Sequence, residues 1–248
     1  ENFLPTSDVN DLVSIDIFII CVPTPLDKNL SPDLSYLISA RNVIDNVLNK
    51  GSLIILESTT YPGCTDEMYA EYFSTDYKIG SEVFIGYSPE REDPGNHDFK
   101  TNNMAKIISG SSKSCLEVIK DFYSLFIKNV VSVSSTRTAE MSKLLENIYR
   151  SVNIGLVNEM KIMSEKFNVD IFEVIKAAST KPFGFKPFFP GPGLGGHCIP
   201  VDPFYLSWKV KEHGHHAKFI EISGEINREM PSHIVEKSVE VLNEKKKS

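Results

Sequence analysis

The first part of the chain alternates short β-branched apolar runs with amphipathic stretches, and from about Thr136 that rhythm gives way to long helical periodicities. Ile15-Asp-Ile-Phe-Ile-Ile-Cys-Val22 reads as a buried strand, and 52–56, 83–87, 105–109 and 129–133 repeat the pattern of a short apolar run bounded by turn residues. Between the first two strands, Leu34, Leu37, Ile38, Val43, Ile44, Val47 and Leu48 fall at helical spacing and predict a helix over 34–49, with Lys50-Gly51 as a left-handed stop. Further helices are expected over 65–73 and 114–127. This alternation implies an α/β layer structure with a mostly parallel sheet. Ala139, Leu144, Leu145, Ile148, Val152, Leu156, Met160 and Met163 then line one proline-free helix over 138–167. A short helix over 170–178 capped by Asp170, a Pro/Gly/Phe-rich loop over 181–201, and helices over 202–213 and 217–246 complete the chain. Two domains are expected, 1–134 and 135–248, the second all-helical.

Composition narrows the functional classes. With 248 residues, 41% hydrophobic and 24% charged, the chain can build a sizeable core and is neither disordered nor low-complexity. A net charge of −7 argues against nucleic acid and anionic membrane as partners, since phosphate is held mostly by clustered Lys and Arg. The run 15–22 is far shorter than the ~20 apolar residues of a membrane span, and 1–14 lacks the features of a signal peptide. Four cysteines without a CxxC pair fit a reducing, cytoplasmic location and suggest no metal site. The first residue is Glu1, which suggests a piece of a longer chain.

Several segments carry chemistry. Gly191-Pro-Gly-Leu-Gly-Gly196 satisfies GxGxxG literally, but it follows Phe188-Phe189-Pro190 rather than a strand, so close backbone approach to a ligand or tight turns explains its glycines better than a dinucleotide fold does. Cys198 follows it, with Asp202 four residues on, where a helical turn would put both side chains on one face. A lone cysteine is ordinarily a small buried hydrophobe; at a helix start, backbone amides can instead stabilise its thiolate, making a nucleophile beside a carboxylate. Lys143 and Asn147 are also four apart and border the Leu144/Ile148 stripe. Helix statistics alone make Lys143 a solvent-facing lysine, whereas a crevice would make it a charge stabiliser or base. Glu90 and Arg91 follow a strand end in Tyr87-Ser-Pro-Glu-Arg-Glu-Asp-Pro-Gly95, and Cys21-Val-Pro-Thr24-Pro25 and Glu57-Ser-Thr-Thr-Tyr-Pro-Gly63 likewise offer hydroxyls at carboxyl ends of strands, where α/β proteins place ligands.

In order, CVPTPL, ESTTYPG, YSPEREDPGN, the KLLEN-YR-VNI-LVNE helix and GPGLGGHCIPVDPFYL resemble the UDP-glucose/GDP-mannose dehydrogenase family over essentially the whole chain, most closely its branch acting on UDP-N-acetylhexosamines such as UDP-N-acetylglucosamine. The resemblance implies a partial Rossmann-like, doubly wound sheet followed by a central helical domain with a long connecting and dimerisation helix. It also implies an NAD-dependent, four-electron oxidation of a sugar C6 hydroxymethyl group to a carboxylate, serving polysaccharide biosynthesis. Carried over by position, Cys198 matches the nucleophile that forms a thiohemiacetal and then a thioester, and Lys143 the lysine that stabilises oxyanions. Asn147 and Asp202 match the pair that places the reacting oxygen and water, Thr59 the residue ordering that water and the nicotinamide, and Glu90 the residue assisting thioester hydrolysis. Thr24 matches a cofactor contact. Pro187, Phe188, Phe189, Pro190 and Gly191, with Gly195, match the backbone that wraps the sugar nucleotide, and Glu90, Arg91, Lys143 and Asn147 are the side chains expected on the substrate.

Glucose-specific relatives carry a second glutamate shortly after the first, whereas this chain reads Arg91-Glu92-Asp93-Pro94. The family's opening strand with its GxGxxG and its carboxyl-terminal domain are not in the sequence, so weak NAD binding is expected of the chain as it stands. Oxidation of UDP-glucose or UDP-N-acetylmannosamine, a two-electron reaction of the 6-phosphogluconate dehydrogenase type, and an inactive dimerising fragment are the alternatives. The two-electron reaction would not need Cys198. Ile222, Ile226, Ile234, Val235, Val239 and Leu242 form a stripe expected to pair two copies.

Overall fold

Leu53, Ile54, Ile55 and Leu56 are all buried, so the strand they form, β2 (Leu53–Leu56), is covered on both faces, as a parallel central strand must be. The computed structural model describes residues 3–92, 104–196 and 198–247. Residues 93–96 of the expected ligand loop, and His197 of the GGHCIP stretch, lie outside them. β2 stands between β1 (Ile17–Ile20) and β3 (Phe84–Tyr87), parallel to both, with Ile17 opposite Leu53 and Leu53 opposite Phe84. β4 (Lys106–Gly110) joins β3 antiparallel, and β5 (Val130–Ser132) runs parallel to β4, which completes a five-stranded sheet ordered β1-β2-β3-β4-β5.

Helix α1 (Ser35–Asp45) packs on β1, and a π-type turn (Asp66–Ala70) leading into α2 (Glu71–Phe73) packs on β3. Helix α3 (Lys113–Ser124) supplies Ile119 and Tyr123 to a core with Leu53, Ile55 and Ile108. Gly86 permits this packing, because a Cβ there would lie 2.1 Å from the Ser109 carbonyl oxygen and 2.2 Å from Ile119 Cδ1.

The expected elements are present, with differences that have local causes. β1 is not buried on both sides: Phe18 and Ile20 are covered, while Ile17 and Ile19 are exposed on the other face of a strand paired only with β2 among the described residues. α1 stops at Asp45, where the Asn46 side chain donates back to the Asn42 carbonyl. Gly51, left-handed at φ +95°, therefore shapes the turn into β2 rather than the helix end, and its N–H donates to the Glu82 carbonyl.

The chain divides into two units, Glu1–Leu144 and Leu145–Ser248, and the division falls inside the long helix α4 (Thr136–Lys166). In the first unit the buried carboxylate of Glu140 on α4 accepts from the N–H groups of Gly63 and Thr65, at 2.6 and 2.8 Å, and from the Thr65 hydroxyl at 2.6 Å. The second unit contains α5 (Ile171–Ala178), capped by Asp170 as expected, then α6 (Asp202–Val210) and α7 (Lys218–Lys247). Pro231 lies within α7 and cannot donate to the Asn227 carbonyl one turn back. Gly193, at φ +105°, packs against that carbonyl so closely that a Cβ would lie 2.7 Å from its oxygen. No helix among the described residues is long and apolar enough to cross a membrane.

Burial raises the Glu140 carboxyl from its ordinary 4.5 to about 7, outweighing the three hydrogen bonds that favour its charged form. The folded state thus binds the proton more tightly than the unfolded state. This contribution to stability is fully present below the unfolded value and is lost as pH rises through about 7. Urea midpoints across that window should fall for the parent chain and fall less for Glu140→Gln. The variant should also be less stable by about 1–2 kcal/mol at acid pH, since an amide cannot accept from both sides. Parallel pH profiles for the two proteins would show that another group titrates.

Candidate active site

In the first unit, the candidate residues gather beyond the carboxyl ends of β1, β2 and β3. The loops that carry Thr24 and Thr59 are tied side by side, since the Glu57 and Ser58 N–H groups both donate to the Ile20 carbonyl and the Ser58 hydroxyl donates to that of Val22 at 2.8 Å. Thr59 is half-buried between fully buried neighbours, and Thr24 is half-buried. Ser88 continues the edge by donating its N–H to the Leu56 carbonyl, which sets Glu90 just past β3.

Glu90 is held at both ends. Its main-chain carbonyl accepts from Lys143 Nζ at 2.6 Å, while its carboxylate accepts from the N–H groups of Arg91 and Glu92 at 2.7 Å each and from Lys106 Nζ at 3.0 Å. Burial pushes the Glu90 carboxyl up, but Lys106 and the two loop amides outweigh it and hold the group below its ordinary value. Lys143 is partly buried rather than solvent-facing, and Arg91 donates to the Ala105 carbonyl at 2.9 Å.

In the second unit, Asn147 and Asp202 meet as a buried pair, the Asn147 amide donating to Asp202 Oδ2 at 2.6 Å. Asp202 opens α6, followed by Pro203, whose missing N–H costs nothing in a first helical turn. Cys198 precedes the helix. Its carbonyl accepts from the N–H groups of Val201 and Asp202, and its side chain is exposed whereas Asp202 is buried. The Asp202 bond is the helical i→i−4 kind, so a turn just ahead of α6 presents Cys198 while Asp202, at the start of α6, is buried.

The loop before Cys198 is pinned by amides. Asn158 accepts from the Gly191 N–H at 2.9 Å and donates to Asn227 at 2.8 Å, and Asn227 donates to the Ser151 carbonyl at 3.1 Å. Phe188 packs edge-on to Tyr149 and Phe189 stacks on Phe172, while Pro187 and Gly195 are exposed and Pro190 is half-buried. Among the described residues no strand leads directly into this glycine run, so it lacks the strand that a pyrophosphate-binding turn follows. Thr24 and Thr59, half-buried in loops that follow adjacent parallel strands, are of a chemical kind that suits hydrogen bonding to a dinucleotide.

The residues that the sequence reading missed are Lys106, Glu57 and Tyr123 in the first unit and Asn158 and Asn227 in the second. Glu57 carries a recognisable signal, a charge just past an apolar strand at a ligand-bearing edge, and Asn158 falls in the LVNE of the helix motif; Lys106, at the opening end of its strand, and Asn227 carry none. Among the described residues no group of His, Cys, Asp or Glu is arranged to hold a metal ion.

Residues 1–127 match the sequence model of the NAD binding domain of the UDP-glucose/GDP-mannose dehydrogenase family, and 137–229 match the model of its central domain. The chain is 40% identical over 242 residues to Protein CapL of Staphylococcus aureus, covering 96% of this chain and 56% of that protein. It is 38% identical over 241 residues to a UDP-N-acetyl-D-glucosamine 6-dehydrogenase of Pseudomonas aeruginosa, with the same coverage, 96% and 56%. The fold superposes with a TM-score of 0.89 on a UDP-D-ManNAc dehydrogenase structure from Pyrococcus horikoshii, at 35% identity over 97% of this chain and 57% of that one. The chain spans about half the length of the curated relatives it matches. A mixed sheet carrying threonines at its edge, a long helix carrying Lys143 and Asn147, and a sequence matching both domain models in order place this chain in the UDP-glucose/GDP-mannose dehydrogenase family.

Proposed function

We propose that the protein is an NAD-dependent 6-dehydrogenase of a UDP-N-acetylhexosamine, converting the C6 hydroxymethyl group to a carboxylate. The observation that carries this reading is the exposed thiol of Cys198 on a turn anchored to Asp202, whose carboxylate is buried against Asn147. The curated relative from Pseudomonas aeruginosa is named for UDP-N-acetyl-D-glucosamine, which supports the N-acetylglucosamine epimer. The Pyrococcus horikoshii structure is named for the N-acetylmannosamine compound and supports that epimer as the second reading. Side-by-side assay of the two UDP-sugars decides between them. UDP-glucose as the preferred substrate would overturn the hexosamine reading.

NAD, when bound, supplies the hydride acceptor for both oxidations. The substrate hydroxyl must lose a proton as it becomes an aldehyde; Lys143 offsets the developing oxyanion, and Asn147 with Asp202 fixes the reacting oxygen. An aldehyde has no second hydride to give until a nucleophile adds to it. Addition of Cys198 yields a thiohemiacetal whose oxidation leaves a thioester. Hydrolysis then needs a water, ordered by Thr59, and a base, which the ionised Glu90 supplies. Pro187 to Gly191 and Gly195 hold the sugar nucleotide, aided by Arg91. The same reading includes a cytoplasmic location and a homodimer formed by α7, on which Ile222, Ile234, Val235, Val239 and Leu242 are exposed.

Tests are made in protein that includes whatever coding sequence flanks this chain. Lys143→Ala should lower kcat by about 10²–10³ with little change in KM, because an oxyanion exists only beyond the ground state. A rise in KM at constant kcat would mark Lys143 as a uniform binding group. Cys198→Ser should stall after one cycle, with two NADH per site and a sugar-acid ester visible by mass spectrometry, since an oxygen ester hydrolyses far less readily than a thioester. Multiple turnovers near the parent rate would instead favour a hydrated-aldehyde route. Val235→Glu with Val239→Glu should shift the protein to monomer in sedimentation at micromolar concentration, and an unchanged dimer would place the interface elsewhere.

A further inference from the structure

Lys106 lies on no segment whose pattern suggested chemistry, yet it joins more of the sheet edge than any residue described above. It opens β4, and since β4 runs antiparallel to β3, with Tyr87 opposite Ser109, Lys106 comes to rest beyond the carboxyl end of β3, level with Glu90. Its side chain is 8% exposed. A lysine so buried must be paired. Its ammonium lies 2.8 Å from Glu57 Oε1 and 3.0 Å from Glu90 Oε2, and 5.4 Å from the centre of the Tyr123 ring.

The two carboxylates it bridges are not equivalent. Glu57, with its side chain 12% exposed, also accepts from the Tyr123 hydroxyl, and Cys21 Sγ lies 3.8 Å away, so it is surrounded by protein groups. Glu90, with its side chain 43% exposed, is open to solvent on one side. We propose that Lys106 is a positioning residue: anchored from behind by Glu57 and Tyr123, it fixes the Glu90 carboxylate as the group that takes a proton from water. The assignment of that proton transfer rests on the function proposed above. The step balances without a further reactant. Water forms the C–O bond to the thioester carbon, its proton passes to the Glu90 carboxylate, the C–S bond breaks, and the electron pair leaves with the Cys198 sulfur.

The groups around Glu90 are Lys106 from β4, Lys143 from α4, and Arg91 and Glu92 in its own loop, with Glu57 just past β2 reached through Lys106 and carrying Cys21 from the β1 loop and Tyr123 from α3. Of these, Lys106 is the cation paired with the carboxylate itself, since Lys143 binds the main-chain carbonyl. Removing Lys106 leaves burial and the Glu57 charge opposed at the carboxylate by the Arg91 and Glu92 amides without the ammonium, which moves Glu90 toward protonation. Removing the Glu57 charge leaves the ammonium to Glu90 alone and acts in the opposite direction. A purely structural lysine would not produce this pair of opposed shifts.

The experiment is a carbon-13 titration of the glutamate carboxyls in the full protein, with Glu90 assigned by its loss in Glu90→Gln, alongside the pH dependence of kcat. In Lys106→Met the Glu90 midpoint should move up by about 1–3 units, and the acid limb of kcat should move up with it while KM changes little. Lys106→Arg should restore most of both. In Glu57→Gln the midpoint should move down, a test that stands even where the methionine variant does not fold. An unmoved Glu90 midpoint in Lys106→Met, or an upward shift in Glu57→Gln, would overturn the proposal. A midpoint that moves while the acid limb stays in place would show that Lys106 holds Glu90 but that Glu90 is not the proton acceptor, which overturns the catalytic role and leaves the wider functional reading intact.

Discussion

A carboxylate with no solvent contact, Glu140, joins the loop after β2 to the helix that carries Lys143. Three donors from Gly63 and Thr65 converge on it, so α4 cannot slide along that loop without breaking buried hydrogen bonds. Each such loss costs roughly 1–3 kcal/mol when a buried donor is left unmet. One turn further along α4 comes Lys143, whose ammonium reaches the Glu90 carbonyl, and the same loop carries Thr59 four residues before Gly63. The register of one buried acid therefore sets where Lys143, the candidate oxyanion stabiliser, and Thr59, the candidate cofactor-contacting hydroxyl, stand.

Polar pins recur wherever the candidate residues must be placed accurately. Lys106 on Glu57, Asn147 on Asp202, and the pair Asn158 and Asn227 that holds Gly191 to the Ser151 carbonyl are largely withdrawn from water, with only Glu90 at the end of the Lys106 bridge open to it. Apolar burial is non-directional and by itself does not aim a polar group. A buried hydrogen-bonded network is directional and is costly when half-satisfied. The loop over 187–196 shows both means together, with Phe188 and Phe189 resting on Tyr149 and Phe172 while amides set its height above α4 and α7. Gly193 completes it by occupying the space beside a carbonyl that Pro231 leaves without a helical partner.

Sequence periodicity alone determined the strands, the helices and their order, because these depend on which residues lie two or 3.6 positions apart, a local property. The Asp170 cap and the helical spacing of Lys143 and Asn147 were legible for the same reason, and the ordered motifs carried the family. Tertiary structure decided what lies across from what. It left one face of β1 exposed, ended α1 early, moved Gly51 from a helix stop to a strand entry, and exposed Cys198 just ahead of α6 while burying Asp202 at its start. Lys106, Glu57 and Glu90 come from three different strand ends, and no spacing along the chain encodes their meeting. It arises because β4 runs against β3 and brings a buried ammonium, which must find counter-charges, to an edge where two carboxylates already stand.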